Sequence, residues 1–168
     1  ASIDNYEKQQ SASSQRMLRY REMALSQAVS RHLEGNISLS SDEIAEKFGY
    51  DFESSFHAVV VVYIENVNKE LWSGNEQDIR LMHYAIQNVC TELFEEEFNL
   101  LTVPVKNEFY VGIVSSENEE SLDLQLREIY NKVEEVISQL GVEIKVNIGK
   151  SFSEFENIRK HYEAVLPN

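Results

Sequence analysis

Two carboxylates, Glu65 and Glu108, stand where this sequence could do chemistry. A magnesium site needs acidic oxygens converging from a strand end and a facing turn, because the hard dication takes oxygen ligands. Glu65 ends an apolar run of strand type, and Glu108 lies in a short turn between two others. They form the one acidic pair that the order of elements brings close. The other reactive residue types do not cluster. His32, His57, His83 and His161 fall on separate elements, without the paired spacing of a zinc site. Cys90, the sole cysteine, sits in the apolar stripe of a helix, where its ordinary role is that of a small buried hydrophobe rather than a nucleophile. Neither G-x-G-x-x-G nor a P-loop occurs, so no glycine-rich cradle for phosphate is present. The acidic runs at 95–97 and 117–120 read as solvated faces.

The elements that must position these residues come from a chain of 168 residues, 42% apolar and 26% charged, enough to bury one ordinary core with a short extension. Fifteen basic residues against 29 acidic ones leave a net charge of −14, a surface that repels phosphate backbones and anionic lipids. No nucleic-acid or membrane contact by these residues is therefore expected. No run of about 18 apolar residues and no signal-peptide pattern occurs. A soluble, intracellular-type α+β domain without a cofactor is the expectation, its placement in the cytoplasm resting on the lone Cys90 and on the resemblance described below.

Three parts follow one another. Residues 1–34 are a polar lead-in to about Ser14 and then a helix from Gln15, with Leu18, Leu25, Val29 and Leu33 at steps of seven, four and four. That stripe either packs on the domain behind it or serves as a coiled-coil arm joining two protomers. Residues 35–56 form a short adaptor, with Ser40 and Glu43 spaced as a capping box and Gly49 as a stop. Residues 57–168 carry the main periods. His57–Ile64 is β-branched on both faces, as a central strand would be. A helix from Glu76, two strands over 100–105 and 109–114 joined by Lys106-Asn107-Glu108, a helix over 122–140, an alternating strand from Val142 and a last helix ending near Val165 complete the order. This β-α-β-β-α-β-α order predicts a ferredoxin-like, nucleotidyl-cyclase-like antiparallel sheet with helices on one face, preceded by a helical arm.

The turn at 105–109 and the strand Tyr110–Val114 resemble the GGDEF hairpin of diguanylate cyclases and the strand after it. Val59–Lys69 is similar to that family's first strand, and Asn147-Ile148-Gly149 to its late Ser-Ile-Gly-type turn; the likeness covers about His57–Leu166. Position by position, the resemblance implies a lost active site. Val105 and Lys106 stand for the two glycines, Asn107 for the acidic metal ligand of the hairpin, and Tyr63 for the first-strand aspartate that binds metal. The guanine-reading Asn and Asp have no counterpart between Asn66 and Asp78, and only Glu108 and Phe109 persist. Two magnesium ions facing a triphosphate need anionic ligands, which a phenol and an amide do not supply.

A degenerate domain of this kind, with a helix of the Met23–Gly35 type, an adaptor at Ser41–Gly49 and a closing helix bearing His161-Tyr162-Glu163-Ala164, resembles the middle segment of bacterial AraC-type transcription regulators. The resemblance implies a homodimer, an upstream receiver or membrane-sensor domain, and a downstream helix-turn-helix pair in the parent chain. The expected role is signal relay and dimerisation without catalysis, with Leu18, Leu25, Val29 and Leu33 as the dimer arm. The alternative is a small-molecule sensor whose remodelled cleft keeps Tyr63, Glu65, Trp72, Lys106, Asn107 and Glu108 as an aromatic–polar pocket.

Overall fold

A computed structural model describes residues 2–105 and 109–167, apart from the side chains of Ser2 and Phe109. The chain runs through α1 (Ser2–Leu33), α2 (Ser41–Phe48), β1 (Phe56–Val67), α3 (Glu76–Glu97), β2 (Asn99–Val103), β3 (Phe109–Ser116), α4 (Glu119–Ser138), β4 (Val142–Ile148) and α5 (Ile158–Val165). Short 3₁₀ turns at Phe52–Ser54 and Phe155–Asn157 precede β1 and α5. Side chains start three of the helices: Ser40, Asn75 and Asn118 accept the backbone N–H of Glu43, Asp78 and Ser121, one of the donors each helix leaves unpaired. Gly49 ends α2 at φ +66°, a conformation that costs a residue with a Cβ.

The four strands lie in the order β2-β3-β1-β4, every neighbouring pair antiparallel. That is the ferredoxin-like plan, and β1 is central, as its run of valines predicts. Strand alternation then divides β1 between two cores. Ala58, Val60 and Val62 join Met82, Ile86 and Cys90 of α3 and Leu122, Leu126 and Ile129 of α4 on one face. Val59 and Val61 join Leu25, Val29 and Leu33 of α1, Ile44 of α2 and Ile158 and Tyr162 of α5 on the other. Each fully buried aliphatic side chain contributes about 1.5–3 kcal/mol of transfer free energy, so neither face is dispensable.

The second core corrects the expectation of helices on one face. The two terminal helices cover the other face, because a central strand apolar on both sides needs two lids. It also decides how the α1 stripe is used. Leu25, Val29 and Leu33 are buried against the chain's own sheet, and only Leu18 is exposed. Arm, adaptor and domain at 1–34, 35–56 and 57–168 divide the sequence but not the packing. The lead-in is also helical: α1 is continuous from Ser2, and its first turns are exposed.

α1 is fastened to the sheet edge as well. The hydroxyls of Ser26 and Ser30, one helical turn apart, donate to the carbonyls of Thr102 and Pro104 on and just after edge strand β2. His57 locks the start of β1 inside the second core. Its Nε2 faces the carbonyl of Phe52, which only accepts, so the proton sits there and Nδ1 accepts from the Ser115 hydroxyl. The ring stacks on Phe52 at a centroid distance of 3.7 Å. Burial holds the His57 pKa below its ordinary 6.5.

Candidate functional site

The ends of β1, β2 and β3 and one flank of α3 enclose a cleft of about 250 Å³. Tyr63, at the end of β1, borders it although its side chain packs against the second core, and His83 and Gln87, one turn apart on α3 and therefore pointing the same way, line the helix side. Thr102, Pro104 and Val105 form the floor toward the β2–β3 connection. At its base, Tyr110 is buried and meets the Thr91 hydroxyl at 3.3 Å, and burial pushes its phenol pKa up to about 12. Among the described residues the lining is largely aliphatic, with two tyrosines, an amide, a hydroxyl and one half-buried imidazole, and includes no carboxylate. Among the described residues no group of three His, Cys, Asp or Glu side chains converges on a point that could hold a metal ion.

The residues expected to share this cleft are dispersed. Tyr63 is in it, but Glu65 is not. Strand alternation would give the two residues one face, yet β1 shifts register against β4 between Ile64 and Asn66. The extra residue turns Glu65 outward to a shallow groove between α4 and β4, beside Glu134 and Glu143. Trp72 is elsewhere again. Its indole N–H donates to the Leu140 carbonyl at 2.8 Å, and its ring packs on the first core, tying the loop after β1 to the α4–β4 turn. The same loop sets Leu71 against Gly141, whose φ of +77° turns the chain into β4; a Cβ there would lie 2.7 Å from the leucine Cδ1. Lys106, Asn107 and Glu108 fall outside the described residues, so the Glu65–Glu108 pair has no described geometry.

His83 and Gln87 are the cleft residues that sequence reasoning passed over. The signal was present: both sit beside the Met82–Ile86 apolar stripe at a spacing of four, so a buried stripe implied a shared flank. Cys90 behaves as its position in that stripe demands. It is fully buried and its thiol pKa is pushed up to about 12 by burial, which leaves no thiolate for chemistry at neutral pH.

A second constellation joins the two ends of the fold. His32, in the last turn of α1, lies 4.9 Å from the ring of Phe155 and accepts the backbone N–H of Leu39 at Nδ1. From α5, Arg159 donates both Nε, at 3.2 Å, and Nη2, at 2.6 Å, to the His32 carbonyl. That carbonyl, in the last turn of α1, also accepts the Gly35 N–H at 3.1 Å, and a cation there complements the helix dipole. Burial and then the Arg159 charge hold the His32 imidazole below its usual pKa. The far end of α5 is fixed by the Asn147 amide, which donates to the Val165 carbonyl at 2.9 Å.

Residues 24–166 match the family described as the GGDEF-like domain, a stretch that takes in the last turns of α1 and all of α2. No curated protein matches the chain. Among the described residues no helix is long and apolar enough to cross a membrane.

Proposed function

This chain belongs to the GGDEF-like domain family, and from that premise we propose that it is a non-catalytic signal-relay and dimerisation domain of an AraC-type, two-component-linked transcription regulator. The observation that carries this reading is the Arg159 bond to the α1 C-terminus. The first and last helices lie on one sheet face and touch through a forked, charge-assisted contact and the His32–Phe155 pair. Motion imposed on α1 then reaches α5 directly, without crossing the sheet. In the parent chain α1 follows the receiver or sensor, and α5 precedes the helix-turn-helix pair. The acidic surface leaves DNA and membrane to other parts of that protein.

Loss of catalysis is supported by the cleft. A phenol, Tyr63, occupies the position at which the family resemblance implies a metal-binding carboxylate, and Glu65 faces the α4–β4 groove. Two experiments test the proposal. Incubation with GTP and Mg²⁺ or Mn²⁺ is expected to give no cyclic di-GMP; its formation would overturn the non-catalytic reading. In the full-length regulator, Arg159→Met is expected to leave operator binding intact and weaken the transcriptional response to the signal. An unaltered response removes the relay route.

One observation favours a second reading, a small-molecule sensor. The cleft brings an aromatic ring, an imidazole, an amide and a hydroxyl together around about 250 Å³, a mix suited to a small neutral ligand. A thermal-shift screen with nucleotides, sugars and amino acids tests it: a raised melting temperature supports a sensor, and no stabilising ligand counts against one.

A further inference from the structure

The projecting half of α1 carries a second apolar stripe that the fold leaves uncovered. Ile3, Tyr6, Met17, Tyr20 and Ala24 fall at alternating steps of three and four once the polar positions Gln10 and Ser13 are counted between them. This is the a/d repeat of a two-stranded coiled coil, sustained over three heptads. At 100° per residue it lies roughly 130° around the helix from Leu25, Val29 and Leu33, so it cannot reach the chain's own sheet. Ile3 is 71% exposed, Tyr6 62%, Met17 56% and Tyr20 63%. The Gln10 amide already lies along the stripe, donating to the Tyr6 hydroxyl at 2.9 Å.

We infer that this stripe is a homodimer seam, packing against the same helix of a second copy. Two observations select that occupant. The first is area. With side chains of about 200 Å² each, the four large residues still show roughly 500 Å² per copy, or about 1,000 Å² for a pair, the size at which a specific interface begins. The second is charge. Two copies of a chain carrying −14 repel each other almost everywhere, but residues 2–24 hold Asp4, Glu7 and Glu22 against Lys8, Arg16, Arg19 and Arg21. The segment is +1, so the strong like-charge repulsion of a −14 chain is nearly absent along this helix. The two polar seam positions are tolerated in such helices at some cost in affinity and help to fix register.

This inference rests on the proposed dimerisation role and gives it a different face from the Leu18–Leu33 stripe. Sedimentation equilibrium of the whole chain separates the two. The wild-type chain is expected to dimerise reversibly. Met17→Lys and Tyr20→Lys, each placing a charge in the seam, should weaken the dimer about tenfold or more. Leu18→Lys, in the same turn but in line with Leu25 and Val29 rather than the seam, should leave it unchanged. All three positions are exposed, and unchanged circular dichroism and melting confirm folding. A dimer that survives both seam variants, or is lost with Leu18→Lys, overturns the seam but leaves the dimer. A wild-type chain that stays monomeric at high concentration overturns both.

Discussion

Replacing Arg159 by methionine removes the fork that ties α5 to the end of α1 while keeping most of the apolar stem. The His32 carbonyl then loses two donors from one charged group, at 3.2 and 2.6 Å, in a partly buried site. A hydrogen bond to a charged group contributes about 1.5–3 kcal/mol when well shielded. Arg159 is half-buried, and solvent screening lowers that figure to about 1–2 kcal/mol for the contact as a whole. In a domain of this size that corresponds to a fall of about 2–8 °C in melting temperature. In urea the midpoint should drop at unchanged slope, because the surface exposed on unfolding is the same. A second readout is specific to the contact. Burial is the larger cause of the low His32 pKa and the guanidinium the next, so in Arg159→Met the imidazole should titrate closer to 6.5 without reaching it. Arg159→Lys keeps the charge but not the fork, so it should restore the His32 titration more fully than the stability. An unchanged urea midpoint together with an unshifted His32 titration would refute the coupling of the two helices through this contact.

Three further outcomes are expected. Phe155→Ala empties a fully buried site that touches His32 and Phe52, and should cost about 3–5 kcal/mol in chemical denaturation. His32, His57 and His161 are each held below 6.5, chiefly by burial. The unfolded chain therefore binds more protons than the folded one just below that pH, so stability should be highest above pH 6.5 and fall as pH drops toward the folded values, measurable by urea titration at several pH values. Cys90 should react with a thiol reagent only as fast as the domain opens, since its buried thiol titrates at about 12; prompt modification of the native protein would contradict that burial.

The sheet was legible in the sequence because its signals are local. The valine run of β1, the alternation of Val142–Ile148 and the caps at Ser40 and Gly49 each depend on neighbouring residues alone. The second core was not, because α1 and α5 stand more than a hundred residues apart and each stripe gives no sign of the surface it meets. The first two turns of α1 carry no apolar period facing the domain, so the helix there is invisible to a pattern that looks for a buried face. The candidate cleft failed for a different reason. Tyr63 and Glu65 look like partners at period two, and one extra residue in β1 separates them. Trp72, named only in the alternative aromatic–polar pocket, packs as a structural peg, with a backbone carbonyl for its one donor.

The serine hydroxyls that α1 lays over β2 have a consequence for how the protein avoids sticking to itself. β2 is an outermost strand, and such a rim presents acceptors on which a foreign strand can grow. Ser26 and Ser30 occupy two of those acceptors, at Thr102 and Pro104, from a helix that also buries Leu25 and Val29 beside them. Peeling α1 away would bare the rim and a greasy sheet face in one step. The helix thus doubles as a guard against fibrous assembly, and only rearrangements that keep its second half seated leave the protein safely in solution.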